Sequence, residues 1–491
     1  MLLLTADLLV AQSSVLAPQE LYRSARSSFK QGQFKEAAAA YRAIIAQKPS
    51  PEAYAGLEQS LLKLDDVSAA EAESKKALAL FPQSTLTHTS RGDVNFRQGL
   101  FADADAEYAT ALGLDEKCTR AWLGEGKIQL ATSREDQAMK SFARARELDP
   151  DDGDTLYYWA ALQPYPQNVA GLDKHLAEFR SDPDETRREH DFVELLRHVA
   201  DHKIWVLAKR VPQAEIKMET ISPVPRMLLG MGLRVRFNDS TTATLLLDTG
   251  ANWITIPRKL AEKVGARKIS DYGLEGTGDS GPAAGYFAWV DKITIGELEY
   301  HDCIVHVSMK DMGTVEGLVG TSFLSQYLVT LDFPAHRLRL ITLPSSPSDA
   351  KEKFFSAAEE NQPVRRFFGF GHLLLMPTQV NRSAEGLFVL DTGANTSSIS
   401  PELARRAGKV RNATTHVSGV SGEVKEKFVL DGATLRYSAT PQTLDQLIAF
   451  DRHNLSKQLG TEVSGFIGYD LLQKMKIAIN YRDGLVEFEG K

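Results

Sequence analysis

The first third of the chain follows a helical pattern of apolar and polar positions that repeats along the sequence. Between about residues 18 and 150, Pro49, Pro82 and Glu116 close units of 33 to 34 residues. Small and aromatic residues return at fixed places in each unit, as expected where paired helices pack through alanines and rings fill the remaining space. Proline then ends the second helix of a pair. The pattern predicts an all-α solenoid.

The last of these units shows the repeat most clearly. It carries Trp122, Gly126, Ala138 and Phe142 before Pro150. In this spacing the unit resembles the tetratricopeptide repeat. The resemblance implies a concave surface that could take a peptide or a partner protein. The alternative is a generic helical domain without a repeat register.

After the helical part, from about Met227 to Phe488, short apolar runs bounded by glycines predict β-strands. Two of these runs end at Asp248 and Asp391, which are 143 positions apart. The same offset relates Ile256 to Ile399. An offset of 148 relates later positions, among them Val329 and Ile477, Leu331 and Ile479, and Phe333 and Tyr481. A repeat of this length indicates one β-rich unit built twice.

Composition narrows the choice of partners but not of compartment. The 491 residues are 43% hydrophobic and 25% charged, with a net charge of −7, which gives no electrostatic reason to expect nucleic acid as a partner. No stretch of 18 apolar residues predicts a transmembrane span. The two cysteines, Cys118 and Cys303, cannot form a disulfide framework.

The N-terminal segment, residues 1–17, leaves localisation open. It has an apolar run and a small-residue Ala11-Gln12-Ser13 site, but Asp7 interrupts the run and no basic residue precedes Arg23. The segment is either an atypical signal peptide or an ordinary N-terminus. Export to the periplasm or the medium is slightly favoured over a cytoplasmic location.

Each of the two aspartates that end a predicted strand begins the same four-residue motif. The two copies are Asp248-Thr249-Gly250-Ala251 and Asp391-Thr392-Gly393-Ala394. Two carboxylates on equivalent loops can share one proton, which is what acid–base hydrolysis by an aspartate pair needs. The alternative is a duplicated β domain that has kept its architecture and lost its chemistry. Such a domain usually lacks one aspartate or one turn, and here both copies are intact.

These motifs resemble those of the retropepsin-like and pepsin-like aspartic peptidases, whose lobes carry Asp-Thr-Gly and a later hydrophobic-hydrophobic-Gly segment. The later segments here end in Val319-Gly320 and Ile467-Gly468. The resemblance implies barrel-like lobes whose catalytic loops meet at a two-fold axis, and a short helix after each later segment. It also implies that the threonine hydroxyls of the two motifs bond across that axis.

Glycine-rich turns lie at matching distances after the two aspartates. Gly276 and Gly278 follow the first aspartate, and Gly419 and Gly422 follow the second. By resemblance these turns are flap hairpins that close over substrate. Ordinary surface hairpins are the alternative.

Together these features predict a multidomain α + β chain, in which an all-α tetratricopeptide solenoid precedes two tandem, mostly-β, retropepsin-like lobes. The predicted boundaries are residues 1–17 for the N-terminal segment, 18–205 for the solenoid with capping helices from 151, 206–344 for lobe 1, 345–366 for a connector and 367–491 for lobe 2. The solenoid is expected to be separable from the lobes, because repeats need contacts only with their neighbours.

The expected activity is that of an aspartic endopeptidase that acts on a peptide or protein substrate without a metal or cofactor. Asp248 and Asp391 are expected to pair within one chain, and the solenoid is expected to recruit the substrate or a partner. Two alternatives stay open. One is a non-catalytic scaffold that binds peptides next to an inert protease-like pair. The other is an obligate dimer in which lobes pair between chains.

Overall fold

The computed structural model describes residues 18–179, 183–209, 211–222, 228–313, 315–343 and 364–490. The predicted N-terminal segment, residues 1–17, and residues 345–363 of the predicted connector lie outside the described residues. The last three connector residues, Val364–Arg366, form a strand.

The helical part consists of antiparallel helix pairs stacked in sequence order. The helices are α1 (Pro18–Lys30), α2 (Phe34–Gln47), α3 (Pro51–Lys63), α4 (Val67–Leu80), α5 (Thr85–Arg97), α6 (Phe101–Leu114), α7 (Thr119–Ala131), α8 (Glu135–Leu148), α9 (Gly153–Ala161), α10 (Gln167–Glu178) and α11 (Pro183–Val199).

The repeat register seen in the sequence is carried by buried alanines. The second helices of the first four pairs place Ala37, Ala70, Ala104 and Ala138 at equivalent positions, and each has 0% of its surface exposed. A side chain of one carbon lets the partner helices approach closely, so the same small residue returns in every unit.

Lobe 1 begins after the helices and is almost entirely β-structure. Its elements are β1 (Val206–Leu207), β2 (Gln213–Lys217), β3 (Glu219–Ile221), β4 (Gly230–Phe237), β5 (Thr241–Leu247), β6 (Thr255–Pro257), α12 (Arg258–Lys263), β7 (Arg267–Asp271), β8 (Gly285–Ile295), β9 (Leu298–Ser308), β10 (Leu318–Val319), β11 (Tyr327–Asp332) and β12 (Arg337–Thr342).

Lobe 2 repeats this plan. Its elements are β13 (Val364–Arg366), β14 (Phe368–Phe370), β15 (Leu373–Val380), β16 (Ala384–Leu390), β17 (Ser398–Ile399), α13 (Pro401–Ala407), β18 (Val410–Asn412), β19 (Ser418–Gly419), β20 (Gly422–Glu423), β21 (Phe428–Arg436), β22 (Gln442–Ala449), α14 (His453–Leu459), β23 (Gly465–Ile467), α15 (Tyr469–Leu472), β24 (Met475–Asn480) and β25 (Leu485–Gly490).

Both lobes close into barrels with the same strand order. In lobe 1 the order β9-β6-β10-β5-β4-β8 returns to β9, and in lobe 2 the order β22-β17-β23-β16-β15-β21 returns to β22. The barrel interiors hold the main hydrophobic core, which runs from one lobe into the other. The fold therefore has the predicted class: a helical repeat region followed by β-rich lobes with barrels.

A third sheet joins the two lobes. Its six strands lie in the order β13-β25-β24-β11-β12-β2. At its centre the antiparallel strands β11 and β24 pair Val329 with Ile479 and Leu331 with Ile477. In the sequence repeat, Val329 is equivalent to Ile477 and Leu331 to Ile479, so exchanging the two lobes turns one pair into the other. A pseudo-two-fold axis therefore passes through the middle of this sheet.

The expected short helix after each hydrophobic-Gly segment forms only in lobe 2. There, Leu472 N bonds to Gly468 O and Gln473 N to Tyr469 O, as in an α-helix. In lobe 1 the residues after Gly320 form turns instead, closed by shorter-range bonds such as Leu324 N to Thr321 O. For lobe 1 the expectation was wrong.

The solenoid packs tightly on lobe 2, against the expectation that it is separable. The ring of Phe101 lies 4.3 Å from that of Phe368, and the ring of Phe96 lies 6.2 Å from that of Phe370. Leu387, in strand β16, is 6% exposed within the same apolar cluster. Leu387 points outward from the lobe-2 barrel, and the solenoid covers it together with Phe368 and Phe370. The premise that repeats contact only their neighbours fails here.

Helix α11 makes a second contact, with lobe 1. Leu195 is buried against Phe287 and Ile304, and Val199 and Trp289 pack around them. The solenoid therefore contacts both lobes. No helix in the described ranges is long and apolar enough to cross a membrane.

Candidate active site

Equivalent strands deliver the two aspartates to the centre of the molecule. Strands β5 and β16 run parallel to β10 and β23, which contain the hydrophobic-Gly segments. Asp248 N donates to Val319 O at 3.0 Å, and Asp391 N donates to Ile467 O at 3.0 Å. Each segment thus fixes the start of one aspartate loop.

The glycines of the same segments let the loops pass close by. A Cβ added at Gly320 would lie 2.4 Å from the carbonyl carbon of Asn252, and one added at Gly468 would lie 2.6 Å from that of Thr396. Beyond these glycines, Thr321 N donates to Ala251 O at 3.0 Å and Tyr469 N to Ala394 O at 2.7 Å. Both alanines are therefore held through their own carbonyl oxygens.

The threonines of the two motifs bond across the lobe boundary. Thr249 N donates to Thr392 Oγ1 at 3.0 Å, and Thr392 N donates to Thr249 Oγ1 at 3.0 Å. Thr249 Oγ1 in turn donates to Leu390 O at 2.7 Å, and Thr392 Oγ1 donates to Leu247 O at 2.8 Å. Both threonines are almost fully buried. This reciprocal set of bonds ties the two loops together within a single chain.

The carboxyl groups face each other across the axis. A Cβ added at Gly250 would lie 2.8 Å from Asp391 Cγ, and one added at Gly393 would lie 2.3 Å from Asp248 Cγ. Each motif therefore needs glycine so that the opposite carboxyl group can approach.

The hydrogen bonds around the pair are not symmetric. Asp391 Oδ1 accepts from the backbone N–H groups of Gly393 and Ala394, each at 2.9 Å. Asp248 Oδ1 accepts from Gly250 N at 2.8 Å. The N–H group of Ala251 also lowers the pKa of Asp248, so backbone donors favour the charged form of both carboxyl groups, and the closer second donor strengthens this effect at Asp391.

The pKa values of both carboxyls are shifted upward. Burial, and then the charge of Asp391, raises the pKa of Asp248 well above its ordinary value. Burial also raises the pKa of Asp391, but the N–H groups of Ala394 and Gly393 oppose that rise. The two groups are close enough to titrate together, so a shared proton belongs to the pair rather than to one carboxyl group.

A buried arginine lies beside the pair, and no sequence motif marks it. Arg452 is 6% exposed, and its guanidinium lies 4.1 Å from the ring centroids of both Phe450 and Phe466. It also donates to Ser398 Oγ. Burial lowers its pKa to about 9, while the charge of Asp391 acts in the opposite direction. A cation at this place favours the ionised form of Asp391.

His372 contacts the other aspartate loop from the opposite lobe. It lies in the turn between β14 and β15, and its Nε2 is 3.0 Å from Gly250 O. The 143-residue offset pairs His372 with Leu229. A polar residue opposite an apolar repeat partner is the one sequence feature that could have pointed to it.

The predicted flap turns of the two lobes contact each other. Ser421 N donates to Thr277 O at 3.0 Å and Ser280 N donates to Ser421 O at 2.7 Å, while Gly276 N donates to Ser421 Oγ at 3.2 Å. Gly278 and Gly422 have positive φ, +133° and +95°, which glycine adopts most readily. A Cβ at Gly419 would meet Thr277 O at 2.6 Å. All four predicted turn glycines thus lie at or beside one junction.

Among the described residues, no group of three or more His, Cys, Asp or Glu side chains is arranged to hold a metal ion.

A large cavity, the solenoid–lobe cavity, lies between the helices and the lobes. Its volume is about 2210 Å³, and solenoid residues such as Lys127, Tyr158 and Phe192 face lobe residues such as Asn252 and His372. Small-molecule pockets usually measure about 300–1,000 Å³. The cavity is therefore large enough for a chain segment, and it reaches the loop that follows Asp248.

Comparison with known proteins follows the same division of the chain. Residues 22–85 and 89–153 match the family model described as tetratricopeptide repeat, and residues 233–323 match the one described as aspartyl protease. The second match includes the first aspartate motif. The chain thus carries tetratricopeptide repeats followed by a retropepsin-like aspartyl protease domain, which confirms the predicted resemblance.

Individual relatives cover parts of the chain. Superkiller protein 3 of Schizosaccharomyces pombe is 37% identical over 94 residues, which are 18% of this chain and 7% of that protein. A tetratricopeptide-repeat protein of Thermus thermophilus is 20% identical, covers 37% of this chain and 100% of its own, and has a TM-score of 0.30. The aspartic proteinase of Irpex lacteus is 12% identical, covers 57% and 97%, and has a TM-score of 0.35. Scores this low carry no argument about function.

Proposed function

We propose that this protein is an aspartic endopeptidase whose catalytic pair is Asp248 and Asp391. The observation that carries the proposal is the pairing of two intact Asp-Thr-Gly turns within one chain, with the carboxyl groups facing each other. A protease-like pair that had lost its chemistry would not need both carboxyls to face each other at the cost of burying them.

The asymmetry of the pair supports a division of roles. Asp391, with two N–H donors and Arg452 nearby, acts as the ionised base that takes a proton from a water molecule. Asp248 holds the shared proton and donates it to the carbonyl oxygen of the scissile peptide bond. The water attacks the carbonyl carbon directly, so the mechanism requires neither a covalent intermediate nor a metal ion.

The remaining predicted site residues support this chemistry. The Thr249–Thr392 bonds hold the loops at a fixed separation, and the segments ending in Gly320 and Gly468 brace them from behind. The flap turns, which meet each other, would cover a bound substrate and exclude water.

We further propose that the solenoid recruits an extended polypeptide. The solenoid–lobe cavity supports this role because it exceeds the size of small-molecule pockets and reaches Asn252, four residues after Asp248. Its lining mixes aromatic rings with charges of both signs, for example Tyr158, Lys127 and Asp154. Such a surface suits a peptide chain better than a single charged ligand.

The central experiment is digestion of a peptide library by the parent protein and by Asp248→Asn, Asp391→Asn and the double variant. Each single variant should lose nearly all activity, and the double variant should be no worse, because the pair acts as one unit. Asp445→Asn, on the exposed face of strand β22, is the matched control and should behave as the parent. Metal chelators should have no effect and a statine-type mimic should inhibit. An Asp391→Asn variant that kept most of its activity would refute the proposal.

A further inference from the structure

The turn of lobe 1 that contains Gly276 and Gly278, residues 272–280, is here called the lobe-1 flap. Its base contacts α11, the last helix of the solenoid. Arg187 Nη2 lies 3.0 Å from Glu275 Oε1, and Arg188 Nη1 lies 3.4 Å from the same atom. Both arginines belong to α11, and Glu275 directly precedes Gly276 in the flap turn. All three side chains are partly buried, with 36%, 23% and 23% of their surface exposed.

The contact with α11 extends to the backbone of the flap. A Cβ added at Gly273 would lie 3.1 Å from Arg187 Nη1, so the guanidinium sits directly over the chain at this point. Next to it, Leu274 pairs with Ala283 in an antiparallel bridge that closes the hairpin. The charged contact therefore acts on the stem from which the flap tip projects.

Helix α11 is itself anchored, which makes it a firm support. Leu195 is 4% exposed and packs on Phe287 and Ile304, which are 1% and 0% exposed. This contact lies two turns along the helix from Arg188. A helix fixed at one end by an apolar core and at the other by an ion pair cannot move without carrying the flap with it.

The lobe-2 flap has no such support. Within the described ranges, the hydrogen bonds and ion pairs that its residues make outside lobe 2 all go to lobe 1. They join Ser421 and Glu423 to the lobe-1 tip, Lys425 N to Asp279 at 2.8 Å, and Val420 O to Lys310 Nζ at 3.1 Å. The two flaps are therefore bonded to each other at their tips, while the hydrogen bonds and ion pairs between described solenoid residues and the flaps involve the lobe-1 flap alone.

We propose that Glu275 is a positioning residue for substrate binding, through which α11 holds the lobe-1 flap in place. The flap tips must separate before a polypeptide can enter between the lobes. Because one flap is held by the solenoid, the lobe-2 flap is the one that moves. This inference rests on the proposed peptidase function for its kinetic consequences, but its structural content can be measured without activity.

The first test is hydrogen exchange of the full-length parent and of Glu275→Gln. In the parent, amides of the lobe-2 flap, residues 418–423, should exchange faster than those of the lobe-1 flap, residues 272–280. In Glu275→Gln the lobe-1 flap should exchange several-fold faster, while strand β8 stays unchanged. Glu297→Gln, an exposed substitution in the β8–β9 turn of the same lobe, is the control. Equal exchange of the lobe-1 flap in Glu275→Gln and the control would overturn the proposal.

The second test is steady-state cleavage of an unstructured peptide. Loss of two partly exposed ion pairs should raise KM by about three- to tenfold and change kcat by less than about twofold. Glu275→Asp, which keeps a carboxylate towards Arg187 and Arg188, should raise KM less than Glu275→Gln, which a merely structural defect would not produce. A fall in kcat at unchanged KM, or equal effects of the two substitutions, would count against a positioning role. No cleavage by the parent would instead refute the peptidase proposal and leave the exchange test valid.

Discussion

Replacement of Thr392 by valine tests whether the reciprocal threonine bonds hold the two lobes together. The hydroxyl of Thr392 accepts from Thr249 N at 3.0 Å and donates to Leu247 O at 2.8 Å, and the side chain is 1% exposed. Valine has nearly the same shape, so the change removes two hydrogen bonds without creating a cavity. It leaves the buried N–H group of Thr249 and the buried carbonyl group of Leu247 without these hydrogen bonds.

The expected magnitude follows from these two groups. Each unsatisfied buried group costs about 1–3 kcal/mol, and the added buried methyl group returns about 0.8 kcal/mol. We therefore expect the free energy of unfolding of the lobes to fall by about 1–5 kcal/mol, with a central value near 3 kcal/mol. Thr249→Val should cost a similar amount, because its hydroxyl makes the equivalent pair of bonds.

Urea unfolding followed by tryptophan fluorescence measures this loss, since Trp253 and Trp289 report on lobe 1 and Trp122 and Trp159 on the solenoid. The transition of the lobes should shift while the slope of its free energy with urea stays constant. Thr396→Val, at an exposed site in the same loop, should change stability by less than about 0.5 kcal/mol. If Thr392→Val were as mild as Thr396→Val, the threonine bonds would not be holding the lobes together.

Three further outcomes are expected. A chain that begins at Ile204 should aggregate, because the lobe-2 surface covered by the solenoid becomes exposed; a soluble, monomeric fragment in size-exclusion chromatography would contradict this. Asp248→Asn should raise the free energy of unfolding at neutral pH, because the raised pKa of Asp248 means that its ionisation in the folded state destabilises the fold as pH rises. This added stability should vanish below pH 3.8, the ordinary pKa of the group, where Asp248 is protonated in both the folded and the unfolded state. Added stability that persisted in acid would show that ionisation of Asp248 is not its cause. The pH optimum should be less acidic than that of pepsin-like enzymes, since Ala251 and Ala394 offer no hydroxyl to stabilise a charged carboxylate, and serine at both positions should shift the pH–rate profile towards acid; an unshifted profile would contradict the reasoning.

The sequence by itself determined the parts of this protein that depend on local pattern. The recurring alanines, from Ala37 to Ala138, define the helical repeat, because each unit must bury the same small residue against its neighbour. The duplicated Asp-Thr-Gly motifs predict two equivalent turns, because glycine after a strand permits the backbone conformations that a tight turn needs. Both features can be read from residues that are close together in the chain.

The candidate site is only partly contained in such patterns. The sequence predicts that Asp248 and Asp391 occupy equivalent positions, and the resemblance adds the bonds of Thr249 and Thr392. The unequal N–H donors depend on small differences between two nearly identical loops. No residue type encodes that difference, because backbone groups make the bonds.

Only the tertiary structure decided how the solenoid and the lobes fit together. Leu387 lies in a strand whose apolar residues could face either the barrel interior or a covering domain, and the sequence does not distinguish these environments. Thr461 Oγ1 bonds to Phe96 O across 365 positions, and Arg187 meets Glu275 across 88. Contacts between such distant residues leave no periodic trace in the chain. They depend on the shape and charge of two complete surfaces, each of which is built from residues that are far apart in the chain.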